Sequence, residues 1–135
     1  MTASLTIDDS VLETFAAEIE GADPITAVGA RTAWDRGGAL TGTPREVRAP
    51  TGIVAYAPEE MTITVRAGTP VAELNDALSA VNQRCALPDR GGTVGGAIAV
   101  GENDPLVLGM GQGRRFARGP DGDEAVGAVF YMPFD

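Results

Sequence analysis

The residues in this chain with the spacing to do chemistry are glycines, not acids, bases or thiols. The run Leu87-Pro88-Asp89-Arg90-Gly91-Gly92-Thr93-Val94-Gly95-Gly96-Ala97-Ile98-Ala99 holds two glycine pairs around Thr93 and Val94, with small apolar residues after them. Glycine lets the main chain come close to a ligand and take positive φ angles. Consecutive exposed amides in such a loop form a concave anion site. A phosphate-bearing cofactor laid along the backbone is the chemistry this suits. Two glycine pairs are hard to fit into one tight turn, although glycine pairs also mark ordinary loops. The residues expected to touch a ligand here are Gly91, Gly92, Thr93, Val94, Gly95, Gly96, Ala97 and Ala99.

A second candidate is Val28, Gly29, Ala30, Arg31 and Thr32, which follow the strand-like run Pro24-Ile25-Thr26-Ala27-Val28. One reading makes it a pyrophosphate loop, in which amides and the Thr32 hydroxyl donate to phosphate oxygens and Arg31 adds a charge-assisted contact. The other makes it a plain turn after a strand. A third glycine cluster, Gly109-Met110-Gly111-Gln112-Gly113-Arg114, imitates a dinucleotide fingerprint. The required third glycine falls on Arg114 and no amphipathic helix follows, so that reading fails.

Composition narrows the remaining chemistry. The chain has no histidine, and all ten of its basic residues are arginine. Imidazole general bases, Ser-His-Asp triads and His-ligated zinc are therefore excluded within it. Cys85 is the single cysteine, so no intrachain disulfide forms. Beside Ala86 and Leu87 it reads as a buried small hydrophobe, with a reactive thiol as the alternative. Glu59-Glu60 and Asp121, Asp123 and Glu124 read as solvated turns and fit no EF-hand, so no metal site is expected. No side chain stands out as a catalytic base. Trp34, Tyr56 and Tyr131 read as packing residues.

The formal net charge is −9 over 135 residues. With no basic stripe, a nucleic-acid partner is not expected, and an acidic membrane surface repels the chain. A bound phosphate must be held by local amides or a single arginine. The N-terminus lacks the basic and apolar regions of a signal peptide, and no segment reaches transmembrane length. A cytoplasmic protein without membrane insertion is expected.

The elements that position the glycine loops are legible as an α/β pattern. Leu12, Phe15 and Ile19 follow helical spacing after a capping box at Ser10 and Glu13, and Gly21 ends that helix. Val47 to Ala49 suggests an edge strand. Gly52 to Tyr56, a turn at Pro58-Glu59-Glu60 and the alternating Met61 to Arg66 suggest an antiparallel hairpin with Met61, Ile63 and Val65 facing a core. Thr69 as N-cap and Pro70 at the first position open a helix whose stripe is Val71, Leu74, Leu78 and Val81. Cys85 to Pro88 reads as a short strand, Gly95 to Val100 as a short helix or turn, and Pro105 to Leu108 and Ala125 to Met132 as strands around an irregular Arg114 to Glu124.

Taken together, the two loops and the segment between them resemble the FAD-linked oxidases of the p-cresol methylhydroxylase and vanillyl-alcohol oxidase type. Ala27 to Thr32 is similar to the first FAD loop of that family. The block from Val47 through Ala67-Gly68-Thr69-Pro70-Val71-Ala72-Glu73-Leu74 resembles its strand, turn, strand and helix segment. Gly91 to Ala99 matches its second FAD loop. Within the family the pattern is similar to FAD-binding subunits of the glycolate oxidase kind. The resemblance covers about residues 7–101.

It implies a PCMH-type FAD-binding domain of two α/β subdomains. This chain, residues 1–135 as a single domain, is expected to supply the first subdomain and part of the second, truncated at its C-terminus relative to the family. Phosphates are expected on the first loop and the flavin near the second, with FAD bound non-covalently because no histidine exists to link it. The implied activity is hydride transfer from a 2-hydroxy acid such as glycolate. A partner subunit or a second copy is expected to complete the site. The alternative is a non-enzymatic partner subunit or a degenerate half-domain without bound flavin.

Overall fold

The computed structural model describes residues 10–21 and 23–101, together with the backbone of Phe116–Ala117 and Val126–Gly127. It is a mixed arrangement of short strands and helices, in keeping with the α/β pattern.

Helix α1 spans Ser10–Ile19. Leu12, Phe15 and Ile19 are half-buried along one side. Ser10 is already a helical residue and not the cap, and the Thr14 hydroxyl donates to its carbonyl at 2.9 Å. Strand β1, Ile25–Ala27, pairs in parallel with β2, Arg45–Val47, in the register Ile25 with Arg45 and Ala27 with Val47. The second strand therefore begins earlier than the expected Val47 to Ala49. The physical reason lies in the carbonyls that follow it. Pro50 O accepts from Gly68 N at 2.9 Å, so the chain after Val47 is engaged with the turn before the next helix and not with a strand.

Strands β3, Ile53–Ala57, and β4, Thr62–Val65, form the expected antiparallel hairpin, irregular between Ile53 and Ala55. A 3-10 turn at Pro58–Glu60 joins them, closed by Met61 at φ 52°. Met61, Ile63 and Val65 pack against the core as their alternation demands.

Helix α2, Val71–Ser79, supplies the centre of that core. Val71, Leu74 and Leu78 are 0–1% exposed and cluster with Cys85, Leu87 and Val94. Each such side chain contributes about 1.5–3 kcal/mol by leaving water. Val81 lies beyond the helix end and is 43% exposed, so the stripe stops at Leu78. Thr69 does not cap the helix. Pro70 occupies the cap position in extended conformation, while the buried Thr69 hydroxyl accepts from Gly52 N at 3.0 Å and donates to Gly52 O at 3.2 Å. The residue thus ties the helix start to the hairpin.

Cys85 to Pro88 forms no strand; it is irregular chain, bent at Ala86, with Cys85 and Leu87 buried. The buried Gln83 is satisfied by donating to Pro58 O at 2.8 Å and accepting from the Tyr56 hydroxyl. Helix α3 is Val94–Ala99. Strands β5, Phe116–Ala117, and β6, Val126–Gly127, pair antiparallel. They fall within the expected irregular segment and the expected last strand respectively. The expected strand at Pro105 to Leu108, the Gly109 to Gly113 loop and Tyr131 lie outside the described residues.

Candidate functional site

Strand β1 delivers the first glycine loop. Val28 is buried and donates to Val47 O at 2.9 Å, so the loop leaves a fixed point. Gly29 then passes directly beneath the second loop. A Cβ at Gly29 would lie 2.7 Å from Thr93 Oγ1, and one at Gly92 would lie 3.0 Å from Thr32 Oγ1. Each loop therefore presents a threonine to a glycine of the other, and the missing side chains are what let them close together.

The second loop is pinned from below. Val71 N donates to Gly92 O at 3.0 Å, Val94 N to Thr69 O at 2.8 Å and Gly95 N to Ala67 O at 2.8 Å. Gly91 turns the chain at φ 77°, with its amide donating to Asp89 Oδ1 at 3.2 Å. Thr93 caps α3 by accepting from Gly96 N at 3.2 Å.

Between the loops lies a cleft of about 330 Å³, at the small end of the ~300–1,000 Å³ usual for ligand sites. Of the residues expected to touch a ligand, Gly29, Ala30, Arg31, Thr32, Gly92, Thr93, Gly96, Ala97 and Ala99 line it. Four do not. Val28 and Val94 point into the protein, each 4% exposed. Gly95 faces Ala67, where a Cβ would come within 2.9 Å of the Ala67 carbonyl oxygen. Gly91 shapes the turn without forming the wall.

A further part of the wall comes from the segment that follows the first loop. Trp34, Arg36, Gly37, Gly38 and Leu40 line the cleft, carried by a 3-10 turn at Trp34–Gly37. Trp34 is thus a cleft residue and not a packing one. The pair Gly37-Gly38, the only other double glycine near the first loop, was the available signal for this wall.

The electrostatics favour an anion. Among the described residues, Arg31, Arg36 and Arg90 line the cleft and no carboxylate does, in a chain with 19 acidic residues against 10 basic ones. Among the described residues, no amide from Gly29 to Ala33 donates to a backbone carbonyl. Arg31 sits at φ 59°, the kind of left-handed step that turns successive amides toward one point. Its guanidinium pairs with Glu46 and lies 4.4 Å from the Trp34 ring centre. Arg48 donates to Gly29 O at 2.8 Å, bracing the loop from behind. These donors and the glycines of both loops are chemically suited to a pyrophosphate group, whose oxygens accept from amides and whose charge arginines balance.

Among the described residues no group of three acidic, cysteine or histidine side chains is placed to hold a metal, and no helix is long and apolar enough to cross a membrane.

Comparison with known proteins gives the same direction. Glycolate oxidase subunit GlcE of Escherichia coli (strain K12) is 33% identical over 114 residues, covering 82% of this chain and 33% of that protein. The chain thus spans about a third of the length of the curated relative it matches. No solved structure matches it. The family model for an FAD binding domain matches residues 10–116, a span that contains both loops and the cleft between them. On the strength of that match and of the relative, the chain belongs to the FAD binding domain family.

Proposed function

We propose that this chain is the FAD-holding part of a flavin-dependent oxidoreductase of the FAD-linked oxidase type, acting on a 2-hydroxy acid such as glycolate. The observation that carries the reading is the cleft itself: two interlocked glycine loops and, among the described residues, amides on one side that donate to no backbone carbonyl, with three arginines and no carboxylate in its wall. The pyrophosphate of FAD rests on Gly29 to Ala33, with Thr32 and Thr93 as hydroxyl donors, and the flavin end runs toward Gly96, Ala97 and Ala99. Bound FAD supplies the hydride acceptor; the chain supplies binding and orientation.

Residues 1–135 act as a single domain of the PCMH type, contributing its first subdomain and part of the second. Attachment is non-covalent: the chain has no histidine, and Cys85 is buried in the core away from the cleft. Among the described residues no carboxylate lines the cleft, and the chain has no histidine or lysine to take a proton from a substrate hydroxyl. That proton acceptor comes from a partner subunit or a second copy, and the matched relative is itself named as a subunit.

The alternative is a partner module without flavin. One observation favours it: the described strands form only two-stranded sheets, and Ile25 and Ile53 on them are 41% and 38% exposed. An absorbance spectrum of the purified protein after FAD addition and desalting separates the two. The flavin reading expects retained yellow colour, quenched flavin fluorescence and full release of free FAD on acid denaturation. A colourless protein that leaves FAD fluorescence unchanged refutes it in favour of the partner module, and flavin that stays with acid-precipitated chain refutes the non-covalent part.

A further inference from the structure

The chain has one tryptophan, and it stands in the cleft wall. Trp34 opens the 3-10 turn after the first loop, with the Arg31 guanidinium carbon 4.4 Å from its ring centre. Arg31 takes φ 59°, a left-handed conformation that side chains other than glycine disfavour. Backbone strain of this kind persists where the surroundings over-determine it, and it gathers at ligand clamps. Here the surroundings are the Trp34 ring and the Glu46 carboxylate, which accepts from Arg31 Nη2.

An unheld arginine samples many rotamers and loses that freedom on gripping an anion. Arg31 has given up much of it in advance. Only Nη2 is engaged by Glu46, and the guanidinium carries five N–H donors. The remaining donors stand on a residue whose own amide belongs to the Gly29 to Ala33 run.

We infer that Trp34 is a positioning residue for anion binding: its indole face holds the Arg31 guanidinium beside the amides of the first loop, so that the phosphates of a bound dinucleotide meet a charge already in place. The inference rests on the flavin reading for the identity of the ligand, but not for the grip on its phosphates. Because Trp34 acts through Arg31, its replacement has no further effect once the guanidinium is gone. Arg31→Gly removes the guanidinium and leaves a backbone that glycine adopts without strain.

The test titrates wild type, Trp34→Leu, Trp34→Phe, Arg31→Gly and the double variant Arg31→Gly/Trp34→Leu with FAD and separately with ADP, at low and high salt. Far-UV circular dichroism checks that each variant folds, and Trp34→Phe keeps a ring in place if Trp34→Leu does not fold. The expected result at low salt is an affinity loss of about two- to fivefold for Trp34→Leu with both ligands, the range a partly exposed cation–π contact spans. Trp34→Phe recovers most of it, the gap narrows at high salt as the charge is screened, and Trp34→Leu adds nothing to Arg31→Gly.

Unchanged affinity in Trp34→Leu overturns the inference, as does a loss of equal size in the Arg31→Gly background or a loss indifferent to salt. FAD binding without dependence on Trp34 removes the grip and keeps the flavin reading. ADP binding that depends on Trp34, with no FAD binding, keeps the grip and removes the flavin reading. Binding of neither ligand by wild type removes both.

Discussion

Replacing Gly29 by alanine tests the interlock of the two loops directly. The new methyl carbon would lie 2.7 Å from Thr93 Oγ1 and 3.4 Å from Thr93 Cγ2. The φ of Gly29 lies outside the left-handed region, so the effect is steric alone. Two relaxations are open. Thr93, stiff at χ1 because it is β-branched, swings its hydroxyl away and loses the cap on Gly96 N, which costs about 1 kcal/mol. Otherwise the loops separate, at the ~1–3 kcal/mol typical of overpacking. Alanine recovers about 0.4–1 kcal/mol by restricting the unfolded chain. The net expectation is a destabilisation of up to about 2.5 kcal/mol in urea unfolding followed by circular dichroism.

FAD affinity falls with it, by about tenfold if some 1.4 kcal/mol of the clash appears in the cleft geometry. The decisive arm is the double variant. Thr93→Ala removes both crowded atoms and leaves only Thr93 Cβ at 3.6 Å, an ordinary contact. Gly29→Ala is then nearly neutral in the Thr93→Ala background, and the two single costs are strongly non-additive. If Gly29→Ala shifts stability and FAD affinity equally with Thr93→Ala and without it, the interlock is wrong.

Gly68→Ala is expected to be the most damaging small change in the described residues. Its Cβ would meet Ala49 O at 2.1 Å and Pro50 O at 2.7 Å, backbone atoms that cannot swing aside, and a loss of about 3 kcal/mol or more should appear as failure to express or a greatly lowered urea midpoint. Leu78→Ala empties a fully buried position in α2, and should lower the unfolding free energy by about 2–5 kcal/mol with an unchanged denaturant slope. Thr69→Val leaves Gly52 N without its acceptor and should cost about 1–3 kcal/mol, whereas Thr69→Ser keeps the hydroxyl and costs less; equal losses would show that packing and not the tie to Gly52 is what matters.

Much of the fold was legible because local patterns and tertiary packing agree. The alternation of Met61, Ile63 and Val65 and the helical spacing of Val71, Leu74 and Leu78 name the faces that meet in the core. Reading was least reliable where one residue type serves two roles. Thr69 before Pro70 has the signature of a cap, yet its hydroxyl goes to Gly52, a partner 17 positions away that no local pattern reveals. Val81 continues the apolar spacing of α2, but the helix ends at Ser79 and leaves it exposed. Cys85 to Leu87 has strand-like residues, yet Cys85 and Leu87 are buried on irregular chain, because burial and a ladder partner are separate conditions.

The candidate site divides in the same way. By itself the sequence determined that any anion bound by this chain must be held by amides and arginine, since it has no histidine and no lysine, and it singled out two glycine loops as the candidates. It also carried the family motifs. Only the tertiary structure decided which residues of each loop line the cleft. Gly29 and Gly92 are glycine because the facing threonines of the other loop occupy the space, whereas Gly95 is glycine because Ala67 does. Only the structure turned Val28 and Val94 inward and brought Trp34 with its 3-10 turn into the cleft wall. A glycine records that space is scarce around the backbone; what fills that space comes from a distant part of the chain, and only folding brings it there.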